Sequence, residues 1–129
     1  MVKEWLEFAE ENLEAAAGLR GQGKFRSAVS RAYYAAHHAA HALLLMSGVA
    51  PPSRGNWKHG ELPGEVRAAV RSRGGNVQWA DYLHQCLQVA YNLRVQADYK
   101  PGQLVGDVHA AEARRVAFAV AQKARESLR

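Results

Sequence analysis

Apolar positions along this chain return every three or four residues and never alternate for long, so the pattern predicts helices and no strand. In residues 2–20, Trp5, Leu6, Ala9, Leu13, Ala16 and Ala17 share one face while the glutamates turn to water, and Gly21 and Gly23 supply the stop. The stretch from Phe25 to Gly48 sorts into three stripes. Ala28, Ala32, Ala35, Ala39 and Ala42 form the first, and Val29, Tyr33, Ala36, Ala40, Leu43 and Leu44 the second. The third is polar: Ser27, Arg31, Tyr34, His38 and His41, at spacings of four, three, four and three. Most of the circumference is apolar or small, which marks a helix central to a bundle. The polar stripe is the anomaly, because an unpaired buried polar group costs about 1–3 kcal/mol.

Pro51 and Pro52 prevent that helix from continuing into residues 49–60, a loop that carries Arg54, Trp57, Lys58 and His59. A short third helix is predicted from Pro63, with Leu62, Val66, Ala69 and Val70 apolar, and Gly74 and Gly75 closing it. A fourth, from about Val77 to Ala97, buries Trp79, Leu83, Cys86, Leu87, Ala90 and Leu93, with Arg94 and Asp98 at the edge of that face. After a loop from Tyr99 to Gly106, Asp107 is the expected N-cap for a last helix from Val108 to Ser127, whose small-residue face ends at Leu128. The predicted fold is all-α: an up-and-down antiparallel helical bundle of four long helices plus a short one.

Composition narrows the class. At 129 residues the chain is expected to form a single domain, 1–129, with a sizeable core. Its one cysteine, Cys86, excludes an internal disulfide, and with no signal-peptide pattern the expected location is cytoplasmic. The apolar run from Ala39 to Met46 is far shorter than the ~20 residues of a membrane span. The 17 Lys and Arg against 12 Asp and Glu are unevenly spread, since five of the acids fall in the first 19 residues. The remainder presents a basic field suited to a polyanion or an acidic protein surface, or simply to solubility.

If the second and fourth helices are neighbours, Arg31, Tyr34, His38, Arg94 and Asp98 converge, the carboxylate holding one guanidinium and leaving the other for a phosphate. The same groups equally suit an internal network that fixes helix register. His37 with His41, or His38 with His41, has chelating spacing, but no further ligand pattern accompanies them, so no metal or other cofactor is expected. In that reading His38 belongs to the cleft while His37 and His41 pack at an edge or a dimer seam. Arg54, Lys58, His59, Arg67, Arg71 and Arg73 form a basic segment in which Trp57 either stacks a base or tucks against the bundle. No nucleophile elbow or glycine-rich phosphate loop appears.

SAVSRAYYAAHHAAHALL at 27–44, the loop histidine His59 and RVQADY at 94–99 together resemble the HEPN domain in its small stand-alone prokaryotic form. The resemblance implies a helical bundle that dimerises, with a polar cleft fed by helices two and four. It also implies a role as ribonuclease toxin, RNA-binding domain or partner of a minimal nucleotidyltransferase. Arg94 matches the arginine of the family's R-x4-6-H ribonuclease motif. The histidine does not carry over, since Tyr99, Lys100 and Pro101 stand where it would fall. His59 aligns with the family's loop histidine and is the candidate substitute for the absent imidazole.

Three functions are therefore expected to compete. The preferred one is a homodimer that binds RNA or a nucleotide phosphate through Arg31, Tyr34, His38, His59, Arg94, Asp98 and Tyr99, working with a nucleotidyltransferase in a toxin–antitoxin-like pair. The second is a metal-independent endoribonuclease using Arg94 with His59 or His38. The third is an assembly protein whose polar stripe only sets register.

Overall fold

A computed structural model describes residues 1–49, 57–72 and 77–128, and everything said of the structure concerns these. They form five helices and no strand: α1 (Val2–Gly21), α2 (Phe25–Met46), α3 (Leu62–Ser72), α4 (Val77–Tyr99) and α5 (Asp107–Ser127). The bundle is all-α and up-and-down, as the periodicity predicts. Gly23 and Gly48 adopt φ of 75° and 77° just past α1 and α2, the left-handed conformation that lets a glycine end a helix without a Cβ clash.

The centre of the bundle is α2, which packs against each of the other four helices. Its alanines explain why it can. Ala28, Ala32, Ala35, Ala36, Ala39, Ala40 and Ala42 are all essentially inaccessible, so neighbouring backbones approach closely on several sides. Leu44, Leu83, Val66, Val116 and Val120 fill the remaining volume within one contiguous cluster of buried residues.

Several positions depart from the pattern-based expectation. Trp79 is 38% exposed instead of core, because Ala80 takes the inward position and the Lys123 ammonium lies 4.6 Å from the indole centroid. Ala17 and Leu128 are also exposed. Gly106, not Asp107, is the N-cap of α5, and its N–H donates to His109 Nδ1 at 3.0 Å. That frees the Asp107 carboxylate to accept from Arg20 Nε and Nη2 at 2.7 and 3.1 Å, a forked pair tying the end of α1 to the start of α5. Finally, α4 runs two residues beyond Ala97, so Asp98 and Tyr99 are held in its last turn.

Candidate functional site

Along the α2/α4 seam, the tyrosine pair of α2 meets Arg94 of α4. The guanidinium carbon lies 5.0 Å from the Tyr33 ring centroid and 5.5 Å from those of Tyr34 and Tyr99. Arg94 Nη2 donates to the Tyr34 hydroxyl at 3.4 Å and the Tyr99 hydroxyl at 3.2 Å. Tyr99, 64% exposed, reaches back to it from the end of α4. Asp98, one turn on from Arg94, brings Oδ2 to 3.3 Å from Nε. The angle is wrong for a hydrogen bond, and Nε is left buried without one. Only 12% of the Arg94 side chain is exposed. Burial alone lowers its pKa, but the hydroxyls of Tyr34, Tyr99 and Tyr33 and the Asp98 carboxylate outweigh that and leave it raised. The cation is permanent.

Behind Tyr33 stand the histidines. The Tyr33 hydroxyl is hydrogen-bonded to His59 Nδ1 and lies 3.5 Å from His37 Nδ1. The His37 ring packs 4.6 Å from His59 and 4.5 Å from His41, centroid to centroid. Burial pushes the Tyr33 phenol well above the usual range, against the pull of Arg94. Burial likewise depresses every imidazole in the group. For His37 the other histidines and Arg94 add to it, bringing the pKa to about 2. For His59, Arg94 is the next cause and His41 follows, and His38 is lowered by burial and then by His41. His41 is lowered by burial in spite of its hydrogen bond to the His37 carbonyl. These rings are neutral near pH 7. Because His41 Nδ1 must carry the proton it donates to that carbonyl at 2.8 Å, its Nε2 is a bare acceptor, and it is buried with no partner among the described residues.

Tyr34 also borders a recess of about 280 Å³ lined by Trp5, Tyr34, His37, His38, Trp57 and His59. Trp57 is buried and meets His41 in a T-shaped contact at 5.0 Å between centroids, and Trp5 stacks on His41 at 4.6 Å.

Of the residues singled out from sequence, Tyr34, Arg94, Asp98 and Tyr99 meet directly, and His59 joins them through Tyr33. His38 shares the recess with Tyr34, their centroids 6.2 Å apart, and faces Trp5 and Phe8 more than Arg94. Arg31 is not brought to the cluster. It is exposed, donates to Asn12 Oδ1 at 3.3 Å, and lines a separate recess with Arg26, Ser30 and Asp98. His37 and His41 are interior, not at an edge. The basic segment is also partly spent, since Arg67 Nε and Arg71 Nη2 both hold Asp81 Oδ1 at 3.0 Å. Arg54 and Arg73 fall outside the described residues. Among those residues no group of three or more His, Cys, Asp and Glu side chains is arranged to hold a metal, and no helix is long and apolar enough to cross a membrane.

Two participants escape the sequence pattern. Tyr33 falls on the apolar stripe, although its spacing of four from His37 is a usable signal. Arg26 donates from Nη1 to the carbonyls of Gln96, Ala97 and Lys100 at 3.3, 2.8 and 3.3 Å. Its Nη2 donates to Pro101 at 3.2 Å and to Gln103.

Comparison with known proteins agrees with this architecture. A Methanocaldococcus jannaschii protein named as a candidate toxin, MJ0605, is 36% identical over 94 residues, which span 73% of this chain and 64% of its own. A UPF0332 protein of Pyrococcus horikoshii, PH1297, is 46% identical over 50 residues, 39% of this chain and 35% of its own. The chain thus matches less than two thirds of the length of either relative. The crystal structure of TT1696 from Thermus thermophilus shares the fold, with a TM-score of 0.71 over 98% of this chain and 97% of that one at 22% identity. The model of the HEPN domain matches residues 2–127, and the chain belongs to the HEPN family.

Proposed function

We propose that this HEPN protein binds RNA by seating a backbone phosphate at Arg94. The observation that carries the reading is a charged guanidinium, nearly enclosed, whose hydrogen-bond partners among the described residues are two tyrosine hydroxyls. A phosphate oxygen is a stronger acceptor than a phenol, and a guanidinium presents it with a planar fork. Tyr34 and Tyr99 can turn their hydroxyls to donate to the same phosphate, and Asp98 pairs with the guanidinium by charge without a hydrogen bond that would occupy it. Fluorescence anisotropy with a short single-stranded RNA tests this. Affinity should fall as salt rises, and Arg94→Ala should weaken it about 10- to 100-fold while the protein stays folded, given about 1.5–3 kcal/mol for a hydrogen-bonded charge. Unchanged affinity in a folded Arg94→Ala protein would end the proposal.

A second reading, cleavage of the bound strand, is favoured by His59. Its imidazole is hydrogen-bonded to Tyr33, whose ring faces Arg94, and it is neutral near pH 7. A neutral imidazole can take the proton of a 2′-hydroxyl as that oxygen attacks the adjacent phosphorus and the bond from phosphorus to the 5′-oxygen breaks, with Arg94 stabilising the charge gathering on the phosphoryl oxygens. The 5′-oxygen leaves as a hydroxyl with a proton from water, and the strand ends in a 2′,3′-cyclic phosphate. The candidate-toxin name of the Methanocaldococcus relative is consistent with it. Cleavage that survives His59→Ala would remove this residue from the chemistry.

The family resemblance extends the proposal to a homodimer working with a minimal nucleotidyltransferase. Light scattering on the purified protein, and isolation from the native host followed by identification of what accompanies it, test those two points. A monomer that comes out alone would refute both.

A further inference from the structure

We propose that the recess bounded by Trp5, Tyr34, His37, His38, Trp57 and His59 is a nucleobase pocket, which takes one unstacked base of the strand whose phosphate lies at Arg94. The inference rests on the RNA reading and adds to it the part of the ligand that is not phosphate. Three features of the recess select a planar, uncharged ring. First, its walls are aromatic, and it holds about 280 Å³, at the lower limit of small-molecule sites of about 300–1,000 Å³. It has room for a base or nucleoside and little more.

Second, the recess rejects charge of either sign. Among the described residues no lysine or arginine lines it, so a phosphate finds no counter-charge there. No carboxylate of those residues lines it either, while the Arg94 guanidinium lies 5.5 Å from the centroid of Tyr34, one of the walls, so an organic cation is repelled despite the aromatic lining. Third, the recess carries a polar group that a base can use. His38 lines it at a partly exposed position, and its Nδ1 is buried without a partner among the described residues. Burial keeps that imidazole neutral, so one ring nitrogen is a donor and the other an acceptor; the two point apart, and a base edge meets one of them.

The shared wall sets the geometry. Tyr34 accepts from Arg94 and also lines the recess, so a nucleotide in contact with Tyr34 can place its phosphate at Arg94 and its base in the recess.

The test uses a Trp79→Phe background, which confines indole fluorescence to Trp5 and Trp57. Titration with adenosine, guanosine, cytidine and uridine should change that emission saturably. In parallel, anisotropy compares a short single-stranded RNA with an abasic strand of equal length. The base-bearing strand should bind about tenfold more tightly, in line with the stacking contribution of a single base. Trp57→Leu should abolish the difference and leave abasic binding unchanged. Should that variant fail to fold, His38→Gln, at a partly exposed position, should alter the order of preference among the four nucleosides. Equal affinity for both strands, each lost on Arg94→Ala, overturns the pocket and leaves the phosphate site standing. Failure of both strands to bind while nucleosides still change the emission overturns the RNA reading and keeps the pocket.

Discussion

Two arginines bridge α2 and α4, and they are built to opposite ends. Arg26 gives its two terminal nitrogens to five backbone carbonyls of residues 96–103. Arg94 meets phenol hydroxyls and a carboxylate it does not properly hydrogen-bond. A guanidinium saturated by main-chain oxygens has nothing left to offer a ligand. One surrounded by weaker or ill-aimed acceptors keeps affinity in reserve for a phosphate. Charge and burial alone do not separate the two side chains; what accepts their hydrogen bonds does.

The sharpest way to break the contrast is Arg26→Ala. It should cost about 2–3 kcal/mol, on the scale of a charged hydrogen-bond donor removed, and lower the melting temperature by roughly 5–10 °C. Arg94→Ala should move the melting temperature far less, and a result with the two reversed would refute the distinction.

Acid acts on the other group of buried side chains. Because the folded state depresses His37, His38, His41 and His59, the unfolded chain binds more protons below its ordinary histidine pKa. Stability should therefore be level above about pH 6.5 and fall as pH drops below it, by up to about 1.4 kcal/mol per pH unit for each histidine. Urea unfolding across pH 5 to 8 measures it. Arg26→Ala should lower the whole curve without changing its slope, since the clamp's carbonyls do not titrate. A curve flat down to pH 5 would contradict the neutral cluster.

Arg94→Lys tests the fork rather than the charge. Salt dependence should persist while affinity falls about fivefold, because an ammonium cannot engage phosphate bidentately; full affinity would show that charge suffices. The smallest effect is a control remote from both arginines. Trp79→Ala removes a half-exposed ring and its cation–π contact with Lys123, worth about 0.5–1 kcal/mol, and RNA affinity should not change.

The helices are legible because their period and glycine stops are local properties of the chain. Residues of the site are legible in proportion to how far their partners are side chains. Tyr34, Arg94, Asp98 and Tyr99 announce themselves as polar groups at helical spacing. Tyr33 hides among apolar neighbours because its ring packs in the core while only the hydroxyl is polar. Arg26 gives no such signal, since all its acceptors are carbonyls, which every residue possesses. Arg31 is misplaced by the stripe because spacing along α2 says nothing of which neighbouring helix a long side chain turns to, and Asn12 of α1 offers its Oδ1 within reach. Trp79 reads as inward from its size, whereas Ala80 next to it allows the close approach.

The clamp on residues 96–103 has a further bearing on how α4 terminates. A rod of this kind ordinarily finishes at a glycine, whose left-handed turn satisfies the trailing carbonyls. Here a borrowed guanidinium from a neighbouring rod performs that task, and the final turn is released from the need for a residue without a side chain. Positions 98 and 99 can then carry an acid and a phenol, so a stop signal supplied from outside lets the helix tip bear chemistry.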